Sequence, residues 1–163
     1  MAEPILTFDV MGDTQVMRGF SRFADGIKDL SEAFKEIAED FHKGERQQFQ
    51  SEGGYGAGGW VPLAPSTIER KEKGGYPMDI LVRTGELRQA MAGEGGAAIE
   101  EIRPLEMRLG TTLAYARFHQ KGTRGMPARP IIMLPEEQKT RWHKIIQKYL
   151  VQQAREAFGT PAW

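Results

Sequence analysis

The longest regular pattern of apolar positions lies near the start of the chain. Val16, Phe20, Phe23, Ile27, Leu30, Phe34, Ile37, Ala38, Phe41 and Phe49 recur mostly in steps of three and four. That spacing lines one face of an amphipathic helix. Asp29-x-x-Glu32, just after Gly26, offers a fresh capping box. The pattern therefore predicts two helices, about 14–25 and 30–50, or one bent helix. A phenylalanine stripe of this kind reads as core rather than as a ligand site. Ahead of it, Ile5–Val10 alternates and is rich in β-formers, which predicts a strand ended by Gly12 and Asp13. A second helical stripe runs through Trp142, Ile145, Ile146, Tyr149, Leu150 and Ala154. Pro135 would open that helix, Glu136 and Glu137 suit its first turn, and Gly159 would end it.

Between the stripes the pattern is shorter and more broken. Residues 51–59, SEGGYGAGG, read as a flexible loop with little to pack. Two prolines hold Trp60–Pro65 extended, with Trp60 and Leu63 as its anchors. Ser66-Thr67-Ile68-Glu69 is a capping box for a short helix that Gly74 and Gly75 stop. After the brief apolar run Ile80–Val82, Thr84 is expected to cap a short helix, Gly85–Met91, with Glu86 in its first turn. Beyond the Gly93–Gly96 linker, residues 98–103 and 105–109 predict an antiparallel hairpin turning near Pro104. Leu105, Met107 and Leu109 share its apolar face.

Residues Leu113–Leu134 combine three patterns in one stretch. Tyr115 and Phe118 mark a short helix with Gly122 as its cap, and a basic loop, Lys121–Arg129, follows. Ile131–Leu134 then reads as a strand covered on both faces. The order of elements predicts an α+β fold in a single domain over 1–163. In it a small, largely antiparallel sheet packs with a long N-terminal amphipathic helix, bent or broken, and a C-terminal helix.

Composition adds limits. The chain has 163 residues, 40% of them hydrophobic and 27% charged, the balance of a globular domain with a sizeable core. Net charge is zero, which argues against bulk non-specific DNA binding. The balance is uneven along the chain. Residues 1–82 hold 9 basic and 14 acidic groups, a net of −5, and residues 83–163 hold 13 and 8, a net of +5. Such halves suit either a mixed solvated surface or contact between unlike parts of two copies. Without cysteine there is no disulfide or thiolate metal site, as suits a reducing cytoplasm. The first residues, MAEPILTFDV, show no secretory pattern, and no apolar run approaches the roughly 20 residues of a membrane span. The expectation is a soluble protein with no membrane partner that stays in the cell making it.

Searches for chemistry find none. His42, His119 and His143 lie on different elements and lack metal-ligand spacing. No Gly-x-Ser-x-Gly elbow is present, and the adjacent pairs Glu100-Glu101 and Glu136-Glu137 point apart. The glycines of 53–59 are not followed by Lys-Ser/Thr or directly by a helix, so no phosphate cradle is met. The expectation is a non-enzyme without cofactor or metal. Arg117, Lys121, Arg124 and Arg129, with Tyr115 and Phe118 nearby, form a basic cluster suited to phosphate or to a subunit interface.

Four segments together resemble the virion morphogenesis (tail completion) family of tailed bacteriophages. They are Gly59–Thr67, with Trp60, Pro62 and Leu63; Ile80–Arg88, with Thr84, Gly85, Leu87 and Arg88; Tyr115–Gly122, with His119 and Gln120; and Met126–Pro130, with Pro127 and Arg129. The N-terminal strand and helix resemble that family too, so the likeness covers nearly the whole chain. A departure is Ile131–Leu134, where the family commonly places an aromatic residue. The resemblance implies a structural protein of the phage neck, acting in tail completion and head–tail joining. It implies a homo-oligomeric ring around the DNA passage, a hexamer or alternatively a dodecamer. The implied partners are head-completion or connector proteins and tail terminator or tail tube proteins, with passive contact to passing genomic DNA. Assembly would occur in the host bacterial cytoplasm. The alternative is a DNA-contacting accessory or head-completion factor using the basic loop 117–129. Arg129, fixed between Ala128 and Pro130, is expected to pair with a carboxylate or carbonyl at a subunit boundary or within the fold.

Overall fold

The computed structural model of the chain describes residues 14–56 and 58–158. The strand expected at 5–10 and the stops expected at Gly12, Asp13 and Gly159 lie outside the described residues. Among the described residues six helices and one hairpin follow in order: α1 (Thr14–Gly26), α2 (Ser31–Gln50), α3 (Pro65–Gly74), α4 (Glu86–Met91), β1 (Ala98–Arg103), β2 (Glu106–Thr111), α5 (Ala116–Lys121) and α6 (Glu136–Phe158). The fold is α+β, with a two-stranded antiparallel sheet.

The long N-terminal pattern breaks into two helices, as its spacing predicts, but not through a capping box. The residue ahead of α2 is Leu30, so Glu32 falls one position short of the site a box requires. Glu32 instead pairs with Lys35 at 2.7 Å, and the Asp29 carboxylate accepts from the Ser31 N–H at 2.9 Å. A tertiary bond fixes the start of the helix, from Leu30 N–H to the Pro104 carbonyl at 2.7 Å.

Helix α2 carries the core. Its Phe41 and Phe49 join Trp60, Ile80, Val82, Leu87, Met91 and Ile131 in one buried cluster. Each large apolar side chain there contributes about 1.5–3 kcal/mol through removal from water. The stripe stops being core at its N-terminal end, where Phe20 of α1 is 57% exposed and meets the exposed Phe158 ring edge-on at 5.1 Å.

Helix α6 lies antiparallel to α2. Arg141 donates to both oxygens of Asp40 at 2.9 and 3.2 Å, and the Trp142 indole N–H donates to Asp40 at 2.8 Å. Burial alone would push the Asp40 carboxyl up, but these bonds together hold it below its ordinary value. Farther along, the Tyr149 hydroxyl donates to the Asp29 carbonyl at 2.6 Å. Helix α1 folds back along the far end of α6, with Gly19 against Phe158 and Gly26 against Gln153.

The hairpin pairs Ala98 with Thr111 through Arg103 with Glu106. Leu105 therefore sits in the turn, 67% exposed, and not on the apolar face with Met107 and Leu109. His42 fastens the hairpin to α2, bonding the Met91 carbonyl at 3.0 Å through Nδ1 and Glu100 at 2.8 Å through Nε2.

Other local expectations are corrected for identifiable reasons. Helix α3 begins at Pro65, directly after Ala64, because proline's fixed φ and missing N–H suit the first helical position; Glu69 pairs with Lys73 rather than capping. Helix α4 begins after Gly85, whose φ of 86° excludes Thr84 from the capping position. The first part of loop 51–59 is anchored rather than free. Glu52 accepts from Ile80 N–H at 2.8 Å through its side chain and from Trp60 N–H at 2.7 Å through its carbonyl. Gly53, at φ 90°, lies so close that an added Cβ would sit 2.5 Å from the Trp60 ring. Ile131–Leu134 forms no strand. The Gln120 amide takes the place of a neighbouring strand, its Oε1 accepting from Ile131 and Ile132 N–H at 2.8 and 3.0 Å. Its Nε2 donates to the Ile132 carbonyl at 3.0 Å.

Candidate functional site

The four segments that the sequence singles out meet on one side of the core, and main-chain carbonyls are the meeting points. Pro130 holds Arg129 extended. Its N–H donates to the His119 carbonyl at 2.8 Å. The buried guanidinium donates through Nε to the Val61 carbonyl at 2.7 Å and through Nη2 to the Pro62 carbonyl at 2.8 Å. Burial draws its pKa below the usual arginine value. The Trp60 indole N–H returns the link, donating to the Pro130 carbonyl at 2.7 Å while its ring stands edge-on to Phe49 at 5.3 Å. Gln48 donates to the same carbonyl at 3.2 Å. The carbonyl partners expected for Arg129 thus lie within the fold.

The remaining segment residues frame this lock. Leu87 is buried in the core and Leu63 is half-buried against it, while Thr84, Arg88 and Pro127 are exposed. Gly122 ends α5 at φ 74°, and a Cβ there would meet the Ala128 nitrogen at 2.8 Å, so the loop folds tightly back. Tyr115 meets His119 edge-on at 6.0 Å. Burial and the charge of Arg129 lower the His119 pKa, which keeps the imidazole neutral at pH 7. Its Nδ1 is buried without a hydrogen-bond partner among the described residues.

These segments enclose an open groove of about 560 Å³. Leu63, Leu81, Leu87, Tyr115 and Met126 give it apolar walls, and Lys71, Arg83 and Arg129 outnumber Glu86 among its charged residues. Arg83 stacks over Tyr76 at 4.7 Å. Lys71, which sequence reasoning did not single out, donates to the carbonyls of Pro77, Asp79 and Val82 at 2.7, 2.7 and 2.6 Å. Nothing local marks it apart from Arg70 or Lys73; only the fold brings three carbonyls to it. The loop it holds contains Leu81 at φ 61°, a conformation that costs a non-glycine residue roughly 1 kcal/mol.

The basic cluster divides. Arg129 turns inward, whereas Arg117, Lys121 and Arg124 are exposed, with Arg117 over the Phe118 ring at 4.7 Å. Away from the groove, Glu45 of α2 was also missed. It is 3% exposed, one carboxylate oxygen lacks a partner among the described residues, and burial pushes its pKa up to about 8. Among the described residues no group of three or more His, Asp or Glu could hold a metal ion. No described helix is long and apolar enough to cross a membrane.

The fold defines a small α+β protein with a helical arm, α1 on α6, and a body in which four separated segments lock one another. Residues 11–151 match the sequence profile of the phage virion morphogenesis family, and the chain belongs to that family. Neither the curated proteins nor the solved structures compared with it give a match. The protein is a bacteriophage virion-assembly protein, associated with the virion.

Proposed function

We propose that this protein completes the tail and joins it to the head, forming a homo-oligomeric ring in the neck around the DNA passage. The supporting observation is how the family's segments are used. Arg129, Trp60 and Gln120 all commit their polar atoms to main-chain groups of other segments. Side chains employed in this way build a surface rather than process a substrate, and the surface they build is the groove. Six copies are the first expectation and twelve the second. Head-completion or connector proteins and tail terminator or tail tube proteins are the proposed neighbours, with assembly in the host cytoplasm. Cryo-electron microscopy of virions tests the reading: a ring of six or twelve copies at the neck is expected, and absence from mature particles would overturn it.

A second reading has its own observation. Arg117, Lys121 and Arg124 stay exposed beside the exposed Phe118, as a phosphate-contacting loop would require. A DNA-contacting accessory or head-completion factor would bind duplex DNA with steep salt dependence; binding too weak to titrate at low salt would remove this reading.

A further inference from the structure

We infer that the groove of one copy receives residues 1–13 of the next copy, so that the ring closes by exchange of N-terminal segments. This rests on the ring reading above.

Chemistry, length and position carry it. The groove is apolar within and mainly cationic in charge, and Arg129 spends its hydrogen bonds on carbonyls rather than on a carboxylate. The segment MAEPILTFDVMGD supplies the complement. It has Glu3, Asp9 and Asp13 but no lysine or arginine, and Ile5, Leu6, Phe8, Val10 and Met11 among its apolar residues. Acidic side chains interleaved with apolar ones suit a chain lying along an apolar channel with a basic rim.

Position then selects the neighbouring copy. The segment ends at Thr14, where α1 begins, and α1 runs antiparallel along the far end of α6. The groove lies toward the other end: Gln48 of α2 bonds the carbonyl of Pro130, next to Arg129 in the groove wall, and Gly44, about one turn earlier on α2, lies against Gln138 near the start of α6. A helix of 23 residues measures about 34 Å. Ile5, the first large apolar residue after Met1, precedes Thr14 by only nine positions and reaches at most about 32 Å from it. In the groove of its own copy the apolar residues Ile5–Met11 would therefore fall short of the channel. A head-to-tail neighbour brings an arm tip to a groove without that shortfall, as ring closure by unlike surfaces requires.

The absence of native cysteine makes the test direct. Copies of the full chain carrying Phe8→Cys are mixed with copies carrying either Thr67→Cys or Ala64→Cys, both in the groove wall, and oxidised, with native mass measured in parallel. The expected result is a disulfide-linked dimer between the two kinds of copy for at least one groove position, several-fold above a mixture with a surface Gln147→Cys control. An oligomer that forms without the cross-link at either position overturns this inference alone. A chain that stays monomeric alone and with its neck partners overturns both this inference and the ring reading. A double variant, Phe8→Cys with Thr67→Cys, that yields only an intrachain loop also overturns the exchange.

Discussion

Arg129 and Glu45 are both nearly buried ionisable groups, and they meet burial in opposite ways. Arg129 has two carbonyls within 2.8 Å, so Arg129→Ala should leave both without donors and cost about 2–4 kcal/mol. Chemical denaturation of the isolated protein measures this, and an unchanged midpoint would show the lock to be idle. Arg129→Lys should recover only part of the loss, since one ammonium on a flexible stem replaces a planar fork. Glu45 has no such partner. Its pKa rises from 4.5 to about 8 on folding, so between those values the folded chain holds a proton that the unfolded chain has released. Stability from this group is thus lost as pH rises through that window. Glu45→Gln should melt higher than the parent at pH 8, on the order of 5 °C, with a smaller gap at pH 5. Thermal melts at the two pH values decide it, and a pH-independent gap would refute the assignment. The burial of Glu45 was not legible in the sequence, where a helical glutamate reads as solvent-facing; for Arg129 a carbonyl or carboxylate partner was expected, but its place inside the fold was left open.

At the scale of elements, the helices were readable, and so were the ends set by Gly75 after α3, Gly122 after α5 and Pro135 before α6, but three other starts were not. The spacing of α2 and α6 comes from side chains that a helix itself brings to one face, so the period carries the information. The starts of α2, α3 and α4 depend on Pro104, Pro65 and the φ of Gly85, and all three override a polar residue that local rules favoured. Ile131–Leu134 failed for a related reason: its apolar run was clear, but the partner is one amide on α5, not a strand. Gln120→Ala removes three hydrogen bonds to this segment and should cost about 1–3 kcal/mol, with faster hydrogen exchange at Ile131 and Ile132. Unchanged exchange at those two amides would mean that the segment is held by Ile131 packing alone. The groove itself was half legible. Its four segments were singled out by resemblance, but their convergence, with Lys71 beneath the loop at 77–82, belongs to tertiary structure.

For the whole molecule, the −5 and +5 halves do not correspond to two separate lobes, since α2 from the acidic half packs against α6 from the basic one. Part of that asymmetry is therefore used inside each copy. The part left for assembly should respond to salt, because exposed charges lose most of their interaction beyond about 10 Å at 0.1 M ionic strength. Raising sodium chloride from 0.05 to 0.5 M (about a threefold shorter screening length) should lower the self-association constant roughly tenfold. Sedimentation at the two ionic strengths tests this, and association strengthened by salt would assign the contact to apolar surface alone.

The clasp of Asp40 on Arg141 and Trp142 has a mechanical meaning as well. It grips α6 near its base, one turn or two after Glu136, and about 25 Å of helix continues beyond it toward Phe158. The Tyr149 bond to the Asp29 carbonyl pins it again farther along, so the lever is the last stretch, about 14 Å from Tyr149 to Phe158. A tilt of about 10° about Tyr149 would move the tip by about 2 Å. The geometry of any assembly built on this arm would then depend on these two fastenings as well as on the tip that makes the contact.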